Sequence, residues 1–497
     1  MQRKQLTLVI VSLLVVVLSV SLAWFTTQII GKGKDVSVTS TNLQIVFTDT
    51  DGEIAGADIE PGWQKTKTFT VQNNSKSEYK YNIVIKDLLN TFVTEGYLQY
   101  KITSTNGGYN MTEFKDIPKS SIATDTILAY SVVIPNGVTQ SYTIEFKYSN
   151  DESVDQSDDM GKKLSGTLFI TEGTEDPNKT LYNQLLVDKS TKLTRTDFGK
   201  VLTNDNTNTL YTSTEDSKTV YYFAGNATDN WVKFGKNASN QDLYWRIIRT
   251  NSDGGVRLLY HGTSTTATDA YIGTSAFNSS FDNIAYVSYM YGSLGSIANA
   301  RTNQTNPSTI KTTIDNWYIS NLEAKGYTKY LSTTAVYCND RTYTVSDYTY
   351  FGAYTRLRTN ETPSYDCATT EDKFTVDTST GNGKLTYPIA LMTADEVSFA
   401  GGVYLKNAET WYYYNSANGS STGSTLWWLL SPNGWYGSSA SAFIVFGSSL
   451  PGYLSNSGVN DTYGVRPAIS LKSCTLYSTG NGSASDPYTI KETDTGC

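Results

Sequence analysis

The uncharged run Leu6–Phe25, LTLVIVSLLVVVLSVSLAWF, constrains the fold of everything behind it. Its length matches the ~20 apolar residues of a helix that crosses a bilayer. Arg3 and Lys4 precede it and stay on the cytoplasmic side by the positive-inside rule, although Lys32 and Lys34 weaken the asymmetry. The bulk of the chain is then extracellular, at the cell membrane or cell surface. Ser21-Leu22-Ala23 also has the small-x-small pattern of a signal-peptidase site. Residues 1–31 are therefore either a signal-anchor, with residues 6–25 in the membrane, or a signal peptide cleaved after Ala23.

Export makes the four cysteines a redox statement. Cys338, Cys367, Cys474 and Cys497 fall into two well-separated pairs, which on an exported chain read as the disulfides 338–367 and 474–497. Free thiols and a metal site are the alternatives, and no C-x-x-C spacing favours a metal. Each closure would contribute about 3 kcal/mol on the chain-entropy estimate.

The rest of the composition points to strands and turns. Charged residues make up 17% of the 497, and Thr, Ser, Asn, Gly and 37 Tyr take their place. Thr and Tyr suit half-buried pleated surfaces, and Asn, Ser and Gly suit turns. A net charge of -8 without a basic cluster argues against nucleic acid as partner.

Residues 32–173 alternate like strands over Val36–Phe47, Thr66–Asn73, Tyr79–Leu88, Ile127–Pro135, Thr139–Ser149 and Leu164–Gly173, which predicts a β-sandwich. Asp49–Glu53 reads as a turn rather than a calcium loop, because the other ligands of an EF-hand are missing. The acidic stretch Asn150–Asp159 reads as a solvated loop, with a cation site as the alternative. Residues 174–218 read as a linker containing a short helix over Leu181–Lys189 and an extended polar stretch over Thr203–Ser217. In 219–472, Asp242–Gly262 predicts a hairpin about an NSDGG turn, and Ile314–Leu322 predicts an amphipathic helix with Ile314, Trp317, Tyr318 and Leu322 on one face. Thr393 is a candidate helix cap ahead of Asp395 and Glu396. Residues 473–497 predict a disulfide-stapled tail. The fold class is mostly β with minor α.

Two resemblances sharpen this. SLAWFTTQ, VSVTSTNLQIVFTD and DIEPGWQKTKTFTVQNNSKSEYKYNIVI, in that order, resemble the TasA/camelysin family of Gram-positive surface proteins over roughly residues 20–172. That resemblance implies a jelly-roll-like sandwich and the capacity to self-associate into fibres. In the second module, KFG and YWRII, PIALMTADEV, WWLLSP and GVRPAISL resemble an uncharacterised bacterial C-type-lectin-like domain family, close to the formylglycine-generating, sulfatase-modifying group. It implies an α+β lectin-like fold whose ligand face lies between a Trp-rich strand and the closing G-x-R-P-A strand, here residues 433–463.

That interval mixes rigid aromatics with Ser, Gly and Asn, which is also paratope chemistry. Asn433, Trp435, Tyr436, Tyr453, Asn456, Asn460 and Tyr463 are the candidate ligand contacts, for an extracellular glycan or protein; core filling is the alternative for each aromatic. Trp427 and Trp428 alternate on a strand, so one faces the core and the other need not. Arg466 is a candidate brace for a carboxylate or carbonyls beneath the closing strand. His261 stands at a hairpin end as a surface residue, with no nucleophile elbow to accompany it. Asp395 and Glu396, being adjacent, point apart and make a poor catalytic pair. No catalytic residue, cofactor or metal site is expected. The expected function is surface-displayed binding, as an adhesin or recognition module. A structural envelope or fibre subunit and an inactive or divergent sulfatase-modifying enzyme are the alternatives.

Overall fold

The computed structural model describes residues 36–39, 44–49, 54, 59–174, 176–267, 270–345, 349–409, 411–413, 426–447 and 450–497. The chain divides into two compact units, Met1–Pro177 and Asn178–Cys497. The apolar run 6–25 and the turn residues 50–53 lie outside the described residues. Among the described residues no helix is long and apolar enough to cross a membrane. Both units are mostly β.

Alternation builds the first unit. Its strands are β1 (Val36–Thr39), β2 (Gln44–Asp49), β3 (Gln64–Asn73), β4 (Tyr79–Asn90), β5 (Leu98–Ser104), β6 (Lys115–Asp116), β7 (Ser120–Ile134), β8 (Thr139–Tyr148) and β9 (Leu164–Glu172). They pair as β1-β2-β3-β8-β5-β6 in one sheet and β7-β4-β9 in another. On β3 the residues Lys67, Phe69, Val71 and Asn73 are buried while Thr66 and Thr68 are exposed, the period of two that one covered face requires. Phe69 and Ile144 from the first sheet share one core with Ile83, Ile85, Ile134 and Leu168 from the second.

Buried polar side chains in this unit are tied to backbone or to one another. The Tyr81 hydroxyl donates to Gln140 Oε1 at 2.6 Å and meets the Tyr142 hydroxyl. Ser131 lies at φ 46°, where the β4–β7 pairing slips, and its freed N–H donates to Asn82 Oδ1. Asp159, expected in a solvated loop, is instead buried. Its carboxylate accepts the Val93 N–H at 2.6 Å and the Tyr148 hydroxyl at 2.8 Å, which turns the end of the acidic stretch inward.

The second unit begins earlier than the sequence suggests. Residues from Asn178 onward belong to it, so most of the expected linker is structured. Helix α1 (Leu181–Asp188) is capped by Thr180, and its Leu181 and Leu185 enter the core. The Leu181 N–H donates to the Thr475 carbonyl and the Tyr477 N–H to the Lys179 carbonyl, so the start of the unit is sewn to its end. Strands β10 (Thr191–Thr194), β11 (Thr209–Glu215), β12 (Lys218–Tyr222), β13 (Trp231–Lys236), β14 (Asp242–Thr250) and β15 (Val256–Gly262) follow, the last two forming the expected hairpin. Next come β16 (Thr274–Ala276) and α2 (Thr309–Tyr318), the latter continued by a wider turn over Ile319–Glu323. Ile314, Tyr318 and Leu322 are buried and Trp317 packs partly buried beside them.

The other strands of the two large sheets are β17 (Tyr343–Val345), β18 (Thr349–Phe351), β19 (Ile389–Leu391), β20 (Trp427–Trp435), β21 (Ala440–Val445), β22 (Leu454–Gly458), β23 (Thr462–Gly464), β24 (Pro467–Leu471), β25 (Tyr477–Thr479) and β26 (Tyr488–Ile490), with helix α3 (Ala394–Phe399) after β19. Among the described residues one ten-stranded sheet runs β10-β11-β12-β14-β13-β26-β25, with β15 joining β14 to β24 and β19 on β24. A seven-stranded sheet runs β16-β23-β20-β18-β17, with β21 between β20 and β22. The C-terminal tail is thus part of the large sheet, β26 lying parallel to β13. Both disulfides form, Cys338–Cys367 and Cys474–Cys497, and all four cysteines are used.

Candidate functional site

The strand that carries the candidate site is dry along most of its length. On β20 every residue from Trp427 to Gly434 is buried, and only Trp435 reaches partial exposure. Trp427 and Trp428 point to opposite faces, and both are fully buried as structural residues of the strand. Protein covers both faces. Trp427 lies under the Arg466 guanidinium, 4.8 Å from the ring centre, while Trp428 packs on Phe277 and Tyr463 and donates its indole N–H to the Ser275 carbonyl. Arg466 is itself fully buried. Its Nε and Nη2 donate to the Tyr260 carbonyl at 3.2 and 3.1 Å, and burial pulls its pKa down to about 10.

Beneath this scaffold lies a layer of buried charge. Glu396 accepts from Arg249 at 2.9 Å and from Arg257 at 2.7 Å, and Arg249 reaches on to Glu215 at 2.8 Å. Asp395 pairs separately with Arg356, which also holds Asp340. The adjacent carboxylates of α3 therefore do point apart, each to its own arginine. Thr393 and Glu396 form a reciprocal cap that starts α3 and fixes the Glu396 carboxylate. Burial alone would raise the Glu215 pKa, but Arg249 and Arg257 outweigh it and hold it at about 2. The same contest, won by Arg257 and Arg249, lowers Glu396. The gap among these side chains is about 10 Å³, the size of roughly one water and too small for a substrate. A second such cluster joins Asp372 to Arg341 and Arg301. Among the described residues no three His, Cys, Asp or Glu side chains converge as a metal site. His261 is fully buried rather than on the surface, with its ring edge-on to Trp231 at 4.4 Å. It belongs to β15, whose residues are all buried.

The candidate contacts separate into three places. Asn433 is fully buried, and its Oδ1 accepts the Tyr436 hydroxyl at 2.9 Å. Tyr436 is partly exposed, and a Cβ at Gly434 would come within 3.0 Å of its ring, so that glycine makes room for the tyrosine. Asn456, on β22, joins the same group, accepting the Tyr404 hydroxyl at 3.0 Å. Tyr453 stands elsewhere, packed on Phe446. Tyr463 covers Trp428 and shares a hydrogen bond with Ser457, near the exposed Asn460 at the β22–β23 turn. Trp435 ends β20, paired with Ala440 on one side and Thr349 on the other.

The structure adds residues that sequence reasoning missed. Strand β18 pairs with β20 so that Tyr350 lies opposite Gly434, which brings Tyr350 to 6.1 Å from Tyr436. Tyr350 stacks on Tyr354 at 4.1 Å, Tyr354 meets Tyr404 edge-on at 5.7 Å, and Tyr404 packs on Phe443. The YFGAY spacing of Tyr350 and Tyr354 was visible, but nothing local connects it to β20. Burial, then Tyr436 and Tyr354, push the Tyr404 hydroxyl up to about 12, and burial also raises Tyr436 and Tyr354. These hydroxyls stay protonated at neutral pH and can donate hydrogen bonds. The result is a half-exposed tyrosine surface edged by asparagine amides. No family model, curated protein or solved structure matches the chain.

Proposed function

We propose that this chain is a cell-surface recognition protein whose second unit presents a ligand face built around Tyr436. On this reading the run 6–25 directs the chain out of the cytoplasm and holds it at the membrane or is cleaved after Ala23. The first unit is a TasA/camelysin-type jelly-roll sandwich, and the second is a C-type-lectin-like domain. The observation that carries the reading is the change along β20: wholly buried through Gly434, then opening into partly exposed Trp435 and Tyr436 beside Tyr350, Tyr354 and Tyr404. A rigid scaffold that releases aromatic side chains at one end is how binding surfaces are commonly made. The partner is an extracellular glycan or protein. The test is an array of glycans and host proteins probed with the purified chain, together with protease access on intact cells. A reproducible ligand and surface cleavage support the reading. A blank array, or a chain found reduced in the cytosol, sinks it.

One observation favours a second reading, a fibre or envelope subunit. Strand β7 is an edge of its sheet, carries Ile122 at 74% exposure and has few charges to repel another strand. Filaments that grow with concentration and vanish on Ile122→Lys would support it, and a chain that stays monomeric would oppose it.

A further inference from the structure

Four tyrosines on the second unit form a corner rather than a flat patch. Tyr350 and Tyr354 lie nearly parallel, 14° apart, while Tyr404 stands at 75° to Tyr354 and Tyr436 at 76° to Tyr350. All four are partly exposed. The floor of the corner supplies amides. Asn433 is fully buried, with its Oδ1 held by Tyr436 and its Nδ2 beside the Tyr404 hydroxyl but without a well-formed hydrogen bond. A buried donor left open costs free energy unless something outside the chain accepts from it. Asn456 presents a second amide, its Oδ1 taken by Tyr404.

The rim supplies a charge. Arg358 is exposed and follows Tyr354 by four residues, on the helical turn Thr355–Asn360, within reach of the Tyr354 hydroxyl. Among the described residues no carboxylate lies within ion-pair distance of it. Arg249, Arg257, Arg301, Arg341 and Arg356 all have such partners. A guanidinium whose neighbour is a neutral tyrosine hydroxyl rather than a carboxylate is suited to a carboxylate or phosphate.

We infer that the Tyr350–Tyr354–Tyr404–Tyr436 corner binds a pyranose unit bearing an anionic group, with Arg358 reading the anion. The proposal rests on the recognition reading above and names its ligand class. The apolar C–H face of the sugar lies on a tyrosine ring, its hydroxyls meet the Asn433 and Asn456 amides, and its carboxylate or phosphate faces Arg358. No deep pocket is needed, because the corner grips a ring from two sides.

The experiment measures binding of the full chain to three probes: a glucuronate-containing tetrasaccharide, the same tetrasaccharide with its carboxyls reduced, and a glucosylated glycerol-phosphate oligomer. The carboxylate or the phosphate probe is expected to bind about 10-fold or more tightly than the neutral one, and the better of the two identifies the source of the anion. Arg358→Gln should erase that preference without moving the melting temperature, and Arg358→Lys should restore part of it. Tyr354→Ala should weaken all probes. Equal binding of charged and reduced sugars, a preference that survives Arg358→Gln, or no binding of any probe overturns the proposal. The array decides the wider reading separately. A ligand there that Tyr436→Ala abolishes leaves recognition standing when the anionic sugar has failed.

Discussion

The two units solve the same problem, a buried interior that must still satisfy polar groups, with different chemistry. The first uses mainly neutral groups, with Lys67 and Asp159 as the buried charges among its described residues. Tyr81, Tyr142 and Gln140 bond to one another between the sheets, and Asn73, Asn82 and Asn90 hold strand ends and a bulge. Among its described residues Asp159 is the carboxylate that is buried. The second unit fully buries Arg246, Arg249, Arg257, Arg341 and Arg466, together with Glu396 and Asp372. Regular alternation explains the first case: long strands satisfy their own backbone, and side chains need only fill the space between sheets. The second unit threads long irregular segments between short strands, and its arginines serve as multi-pronged ties to carboxylates and carbonyls from distant stretches. Arg341, for example, reaches Asp372, Gln304 and the Met290 carbonyl at once. Such ties fix geometry more than they add net stability, because desolvation consumes much of the Coulomb gain.

The contrast can be broken first with acid. Glu215 titrates near 2 when folded against 4.5 in its ordinary state, and Glu396 is lowered as well. A depressed carboxylate contributes stability above its unfolded pKa and loses it as pH falls toward the folded value. Hydrogen exchange followed separately over the two units should therefore show the second losing protection between about pH 4.5 and pH 2, and the first losing much less. Equal losses would mean that the ionic layer is not what distinguishes them.

Removing one partner is the next largest effect. Glu396→Ala strands Arg249 and Arg257 in the interior and should destabilise the second unit by about 3–5 kcal/mol, read by denaturant titration, with β3 and β8 of the first unit unaffected. A smaller cost sharpens the other side of the comparison. Tyr142→Phe removes one neutral hydroxyl from a network in which Tyr81 keeps Gln140, and should cost the first unit about 1 kcal/mol.

What the sequence revealed follows the range of the interactions. The Asp242–Gly262 hairpin, the 314–322 helix face and the Thr393 cap are local patterns, and they were readable because period and capping act over a few residues. The cysteine pairing was readable from the spacing of two well-separated pairs. Most of the expected linker was misread because α1 and β10–β11 earn their order from contacts with residues far along the chain, as in the Leu181 N–H to Thr475 bond. The burial of both Trp427 and Trp428, and of His261, depends on layers that no single segment encodes. Three of the four corner tyrosines were hidden for the same reason: only the pairing of Tyr350 with Gly434 brings Tyr350 to Tyr436.

The central claim is that this corner is a ligand surface carried by a scaffold that does not need it. It is tested most directly by measuring affinity and melting temperature side by side for Tyr436→Ala, using whichever ligand the array returns. The account predicts that affinity falls by about 10-fold or more while the melting temperature falls only by the few degrees that the lost hydrogen bond to Asn433 explains. Unchanged affinity, or a loss that merely tracks unfolding of the second unit, would contradict it.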